Sequence, residues 1–252
     1  MIIDIHGHYY EKGLYPPWVP YGMSPLLEWS KNTNLAGLAL SSLDVFAKGN
    51  NENHKLGLLC MMHPKLYQFI TIDPRVPNWF NKLPVNKKVI GLKIHPTWSN
   101  FELVNYLDNV LQVAKQNNWA VLTHSGIKEP YIDIEKSIMI ADKYPEVPVI
   151  FAHLGNGFSS YNDVLLQIDT LAKTKNHNTL IDTSSLAIHL SGLLEESVNR
   201  IGSDRILFGT DLPLHFPQTM LDRITKSNLS SNIKEKILYK NAINYIPKLK
   251  GE

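Results

Sequence analysis

Short apolar runs alternate with longer stretches in which apolar residues recur at three- and four-residue intervals, and this alternation continues to the end of the chain. The runs at 2–8, 35–40, 69–73, 89–96, 119–124, 147–153, 179–183 and 205–211 each predict a strand. Between them the periodicity predicts helices. Ser24 caps the first, with Pro25 at its first position; it carries Leu26, Leu27 and Trp29 and fails near Asn32 and Asn34. Residues 51–62 form the next, stopping at His63-Pro64. Asn100 caps a helix to Asn117, with Phe101, Val104, Leu107, Leu111 and Ala114 near the helical period. Others follow through Ile138 and Ala141 to Tyr144, over 161–173 and 193–201, and over about 217–226 and 230–245. Most strands are continuous apolar runs, as expected where both faces are covered. The pattern predicts an α/β protein, a single (β/α)8 TIM barrel spanning residues 1–252, with reactive groups at the C-terminal ends of the strands. No internal repeat, low-complexity tract or linker interrupts it.

Composition narrows the partners. The 252 residues are 44% hydrophobic, enough for a full core, and 25 Lys and Arg against 23 Asp and Glu give a net charge of +2. That balance offers no electrostatic footprint for nucleic acid. Cys60 is the single cysteine, so no internal disulfide forms; it lies in an apolar run and reads as buried and inert. No run approaches the roughly 18 apolar residues of a membrane span, and the first residues lack the basic and apolar regions of a signal peptide. The expected setting is cytoplasmic, with a small-molecule substrate as partner.

Candidate chemistry sits at the strand ends. His6 and His8 are two apart, so a strand points both to one face and they can meet at one metal ion. Alone, His-x-His is a weak signal. Lys93 and His95 end the fourth strand and share a face, His124 ends the fifth, His153 the sixth and Asp211 the eighth. A barrel would converge them on one mouth, and burying these groups without a common partner is costly. Arg205 starts the eighth strand, at the opposite end, where an ion pair with a nearby acid is expected. Asp73 is open between a site residue and turn chemistry. His54 and His63 read as surface or packing residues and His177 as solvated, while His189 and His215 follow the last two strands and are open between lining the mouth and a surface loop, the latter being expected. The aromatic, proline-rich stretch 9–23 is either a packed surface loop or a substrate lid.

Four segments carry a resemblance. They are His6-Gly7-His8, Val121-Leu122-Thr123-His124 with Ser125-Gly126, Ile150-Phe151-Ala152-His153-Leu154-Gly155, and Asp204-Arg205-Ile206-Leu207-Phe208-Gly209-Thr210-Asp211-Leu212-Pro213. Together they resemble the amidohydrolase superfamily, in its amidohydrolase-2 branch of metal-dependent hydrolases and decarboxylases related to aminocarboxymuconate semialdehyde decarboxylase. Asn241-Ala242 resembles the closing helix of that family. The resemblance implies one divalent metal, usually zinc with manganese or iron as alternatives, held by His6, His8, His124 and Asp211. It implies an acid/base or polarising role for His153 and a mixed ligand and proton-acceptor role for Asp211. For Lys93 and His95 it implies substrate binding; in binuclear branches a lysine like Lys93 is carboxylated and bridges two metals. The implied reaction is hydrolysis of a small ester, lactone or amide, with non-oxidative decarboxylation of an unsaturated or aromatic acid as the alternative. A homodimer is common in this branch.

Overall fold

The structure, a computed structural model, describes residues 1–154 and 160–250. Eight strands form one parallel sheet in sequential order: β1 (Ile3–Tyr9), β2 (Gly37–Ser42), β3 (Leu66–Thr71), β4 (Val89–Ile94), β5 (Ala120–Thr123), β6 (Val149–Phe151), β7 (Thr179–Asp182) and β8 (Ile206–Leu207). The connections suit parallel pairing: all but one carry an α-helix that returns the chain to the start of the next strand, and between β3 and β4 a long loop with one short turn, Trp79–Lys82, makes the crossing. The sheet curls until its last segment meets its first. Ile5 N–H donates to Phe208 C=O (3.0 Å), Asp211 N–H to His6 C=O (2.8 Å) and His8 N–H to Leu212 C=O (2.7 Å).

Two apolar layers hold the curl. Ile3, Ile5, Phe69, Leu122, Ile150 and Leu207 pack within it, joined by Ala242, Ile246 and Leu249 from the C-terminal segment. A larger layer, including Leu38, Leu40, Val121, Phe151 and Ile181, packs against the helices. Interior positions are crowded. A Cβ on Gly91 would lie 2.3 Å from the Ala120 carbonyl oxygen and 2.5 Å from the Phe69 ring. The ring can shift but the strand backbone cannot, so Gly91→Ala is expected to cost about 2–3 kcal/mol by overpacking, read as a lower midpoint of denaturant unfolding.

Several boundaries differ from the sequence pattern. Asn100 does not open the helix that ends at Asn117. It sits at φ 54° and ends a single turn, Pro96–Ser99, and the long helix begins only at Leu107 (Leu107–Asn117). An asparagine tolerates that left-handed conformation and so serves as stop as readily as start. β8 has two residues where seven were expected, because the backbone leaves the ladder after Leu207: Phe208 N–H donates to Ile237 C=O (3.0 Å) and Gly209 N–H to the Thr183 hydroxyl (3.1 Å). The final helical run is Ser231–Glu235, a wider-wound turn Lys236–Lys240, then Asn241–Tyr245. Arg205 does lie at the far end, but it finds carbonyls rather than an acid: it donates to Thr179 C=O (2.8 Å), Leu171 C=O (2.5 Å) and Thr179 Oγ1 (2.5 Å). Asp73 makes turn chemistry, accepting from Arg75 Nε and Nη2 at 2.9 and 2.6 Å. Cys60 is fully buried and burial pushes its thiol up to about 12. Among the described residues no helix is long and apolar enough to cross a membrane.

Candidate active site

The site begins with a bulge in β1. Asp4 pairs with Leu38 and Gly7 with Leu40, so β1 spends one more residue than β2 over the same length. A bulge switches which face successive side chains take. Ile3 and Ile5 therefore pack inside the curl below, and His6 and His8, of opposite parity, also reach inward above them. Asp4 is left on the other face, fully buried, where it accepts from Trp29 Nε1 (3.0 Å), Thr210 N (3.1 Å) and Thr210 Oγ1 (2.6 Å) and so ties β1 to the end of the sheet.

Three atoms then face one another. His6 Nε2 and His8 Nε2 are 3.2 Å apart, His8 Nε2 is 2.7 Å from Asp211 Oδ1, and His6 Nε2 is 3.5 Å from the same oxygen. The left-handed backbone at Asp211, a conformation aspartate adopts more readily than most residues, aims its carboxylate there. Gly209 gives the room, since a Cβ on it would meet His6 Cβ at 2.9 Å. Lys93 Nζ approaches the same point, 3.2 Å from His6 Nε2. His153, also left-handed at φ 69°, brings its ring centroid within 5.1 Å of that of His6.

The outer nitrogens are anchored. His6 Nδ1 lies 2.8 Å from Asp182 Oδ2, and His8 Nδ1 lies 2.9 Å from Ser41 Oγ. Fixing one ring nitrogen in this way presents the other as a ligand. Nitrogen and oxygen ligands at zinc bond lengths stand about 3.3 Å apart around a tetrahedron, close to the separations here. Asp211 Oδ1 is buried and makes no regular hydrogen bond, and the same holds for His124 Nδ1. The residues present thus fit a divalent cation. His6, His8 and Asp211 can hold it, and His153 has a ligand atom within 4.8 Å of those of His6 and Asp211. His124 stands one ring further out, stacked on His95 at 4.0 Å and edge-on to His153 at 4.9 Å.

Burial sets the charge states. It lowers His8 to about 4 against the pull of Asp211, and it lowers His95, His124 and His153 as well. These rings are therefore neutral near pH 7, the form that binds metal or accepts a proton. Burial lowers the Lys93 ammonium to about 8, against Asp211 and Asp182. Burial alone would raise Asp211, but His8, His153 and His6 outweigh it and hold the carboxyl well below its ordinary range.

These groups line a cavity of about 550 Å³ at the C-terminal edge of the sheet. Its floor holds His8, Lys93, His153 and Asp211, and its wall includes Tyr15 and Trp98. Tyr15 comes from the stretch 9–23. That stretch is pinned rather than loose, with Tyr10 buried and its hydroxyl donating to Pro20 C=O at 2.8 Å. Trp98 stacks on Phe46 at 5.2 Å and meets Tyr15 edge-on at 6.2 Å. His95 caps the Pro96–Ser99 turn, its Nδ1 accepting from Trp98 N–H at 3.1 Å.

Of the seven residues singled out at strand ends, His6, His8, Lys93, His153 and Asp211 thus meet at the floor, and His95 and His124 meet each other on the wall. The sequence reading missed Asp182, which ends β7 and carried the same signal as Asp211, an acid at the close of an apolar run. It missed Ser41 and Ser184, whose single hydroxyls have no pattern to read. His215 is not a surface residue: it lines the cavity, its Nδ1 3.8 Å from Asp211 Oδ2. His54, His177 and His189 are exposed.

The chain matches the amidohydrolase family, in its amidohydrolase-2 branch, over residues 3–245 and belongs to that family. No curated protein matches it significantly. Solved structures share its fold at low identity. A Burkholderia multivorans amidohydrolase with bound zinc is 15% identical, covers 98% of this chain and 99% of its own, and superposes with a TM-score of 0.77. A putative 2-pyrone-4,6-dicarboxylic acid hydrolase from Pseudomonas putida is 14% identical, with 98% and 97% covered and a TM-score of 0.76. A 2,6-dihydroxybenzoate decarboxylase in complex with 2,6-dihydroxybenzoate is 14% identical, with 98% and 99% covered and a TM-score of 0.69. The sheet is consistent with the TIM-barrel fold of amidohydrolases, and the structures that share it include both hydrolases and a decarboxylase.

Proposed function

We infer that the protein is a metal-dependent hydrolase of a small-molecule ester, lactone or amide, built as one (β/α)8 barrel. The observation that carries the reading is the meeting of His6 Nε2, His8 Nε2 and Asp211 Oδ1 within 3.5 Å at the cavity floor. These three would hold one divalent ion, with His124 as a further ligand through its unpartnered Nδ1. The mixed imidazole and carboxylate set suits zinc, and manganese and iron accept the same ligand types. Bound there, such an ion supplies Lewis acidity toward a carbonyl oxygen and lowers the pKa of a water to about 7.

The remaining steps belong to the side chains. His153, neutral and at the floor, takes the proton that a nucleophilic water releases and returns one to the leaving group. Asp211 Oδ2 is a second acceptor beside it. Lys93 is the cation of the floor and holds the substrate's anionic group or the oxygen on which charge develops. His95 carries its proton on Nε2, because Nδ1 accepts from Trp98, and so offers a donor to the substrate. Tyr15 and Trp98 cover an apolar or flat portion.

Lys93 also favours a second reading. A buried cation beside the ligand cluster suits a carboxylate about to leave as carbon dioxide, and the fold is shared with a 2,6-dihydroxybenzoate decarboxylase. A panel of lactones, esters, amides and unsaturated or aromatic acids in ¹⁸O-labelled water separates the two. Incorporation of ¹⁸O into a product carboxylate is the expected result. Release of carbon dioxide with no label incorporated would replace hydrolysis with decarboxylation.

A further inference from the structure

Two histidines and one carboxylate meet at a single hydroxyl. Ser184 Oγ makes its shortest contact with Asp182 Oδ1, and lies 2.9 Å from His153 Nδ1 and 3.1 Å from His6 Nδ1. Ser184 and Asp182 are fully buried, so water does not compete. The carboxylate is fixed from several sides: Oδ1 accepts from the backbone N–H of His153 and of Ser184, both at 3.0 Å, and Oδ2 lies 2.8 Å from His6 Nδ1. A serine hydroxyl has one proton and two lone pairs, and an ionised carboxylate only accepts. The one proton therefore goes to Asp182 Oδ1. What Ser184 has left for the imidazoles is lone pairs, and His153 Nδ1 must bring the proton.

We propose that Ser184 is a positioning residue: bound to Asp182, it fixes His153 as the Nδ1–H tautomer and so leaves Nε2 to the cavity as a proton acceptor. This deepens the reading of His153 as the proton-transfer group and rests on it. The order of steps follows. His153 Nε2 accepts a proton as the water O–H bond breaks and the C–O bond forms; the imidazolium keeps Nδ1–H on Ser184. The Nε2 proton then passes to the leaving oxygen or nitrogen as its bond to carbon breaks. Ser184 moves no proton, and His153 ends as it began.

The test is ¹⁵N NMR of histidine-labelled, zinc-loaded protein, with the His153 signals identified by their loss in His153→Gln. The expected spectrum has a proton on His153 Nδ1 and none on Nε2. In Ser184→Ala both tautomers should appear, and kcat should fall by about 10–100-fold, the cost of mispositioning a reacting group. KM should stay within about twofold and zinc content should be unchanged. Ser184→Thr, which restores the hydroxyl, should restore tautomer and kcat together. A wild-type His153 protonated at Nε2 would overturn the proposal even if the alanine variant fails to fold. So would a Ser184→Ala protein with tautomer and kcat unchanged. The Nδ1–H tautomer in protein that hydrolyses nothing would sustain the role of Ser184 and count against the hydrolase reading instead.

Discussion

Replacing His8 with alanine should raise the dissociation constant for zinc by at least about 100-fold and abolish turnover with it. The floor cluster explains the size. Loss of an outer partner of a metal ligand already costs about 10–100-fold in affinity, and His8 is one of three side chains whose ligand atoms meet there, 2.7 Å from Asp211 Oδ1. The measurement is a zinc titration read by thermal unfolding. A ligand at 1,000 times its dissociation constant stabilises the folded state by about 4 kcal/mol, so wild-type protein should melt at a clearly higher temperature in excess zinc. The variant should fold, as judged by circular dichroism, and show about a third of that gain or less. Equal zinc-dependent shifts in both proteins would remove His8 from the ligand set.

His153→Ala should act on the chemistry and spare the metal. A positioned general base contributes about 10²–10⁴-fold, and kcat should fall by that factor, which is roughly 3–5 kcal/mol of barrier at 1.36 kcal/mol per tenfold. Zinc content should match wild type, because His6, His8 and Asp211 remain. Steady-state kinetics beside elemental analysis checks both halves. If zinc is lost along with activity, His153 is a ligand, as its position within 4.8 Å of the cluster atoms permits. If kcat stays within tenfold, another group moves the proton, and His215 beside Asp211 Oδ2 is the nearest candidate.

The two predictions rest on residues that differ in how far the chain announces them. His6 and His8 are legible because a strand has period two and because both histidines follow an apolar run. The bulge that lets Ile3, Ile5, His6 and His8 all face inward is not legible, since it depends on the register against β2 and no single strand encodes it. The alternation of strands and helices is legible throughout, because continuous apolar runs and helical periodicity are local. Boundaries fail where an asparagine takes a left-handed backbone, as at Asn100, and where a distant segment takes over a strand's hydrogen bonds, as Ile237 does at Phe208, neither of which composition reveals. Asp182 was readable by the rule that found Asp211 and was overlooked inside an apolar strand. Ser41 and Ser184 work through a hydroxyl whose partners lie 33 and up to 178 residues away, so only the folded chain identifies them.

The shape of the cavity follows from the same division. Its floor comes from strand ends, which the sheet fixes rigidly. Its wall comes from the loop after β1 and the turn after β4, through Tyr15, His95 and Trp98. Function in such folds is set by the site more than by the fold, and here the wall is where substrate choice would be decided.

The most direct test of the account is the metal content of wild-type protein, purified without chelator and measured by elemental analysis after dialysis against zinc. About one zinc per chain is the predicted result. About two per chain would keep a metal enzyme but turn Lys93, 3.2 Å from His6 Nε2, into a carboxylated bridge between ions. No bound metal, before or after dialysis, would contradict the central claim that His6, His8 and Asp211 meet in order to hold one.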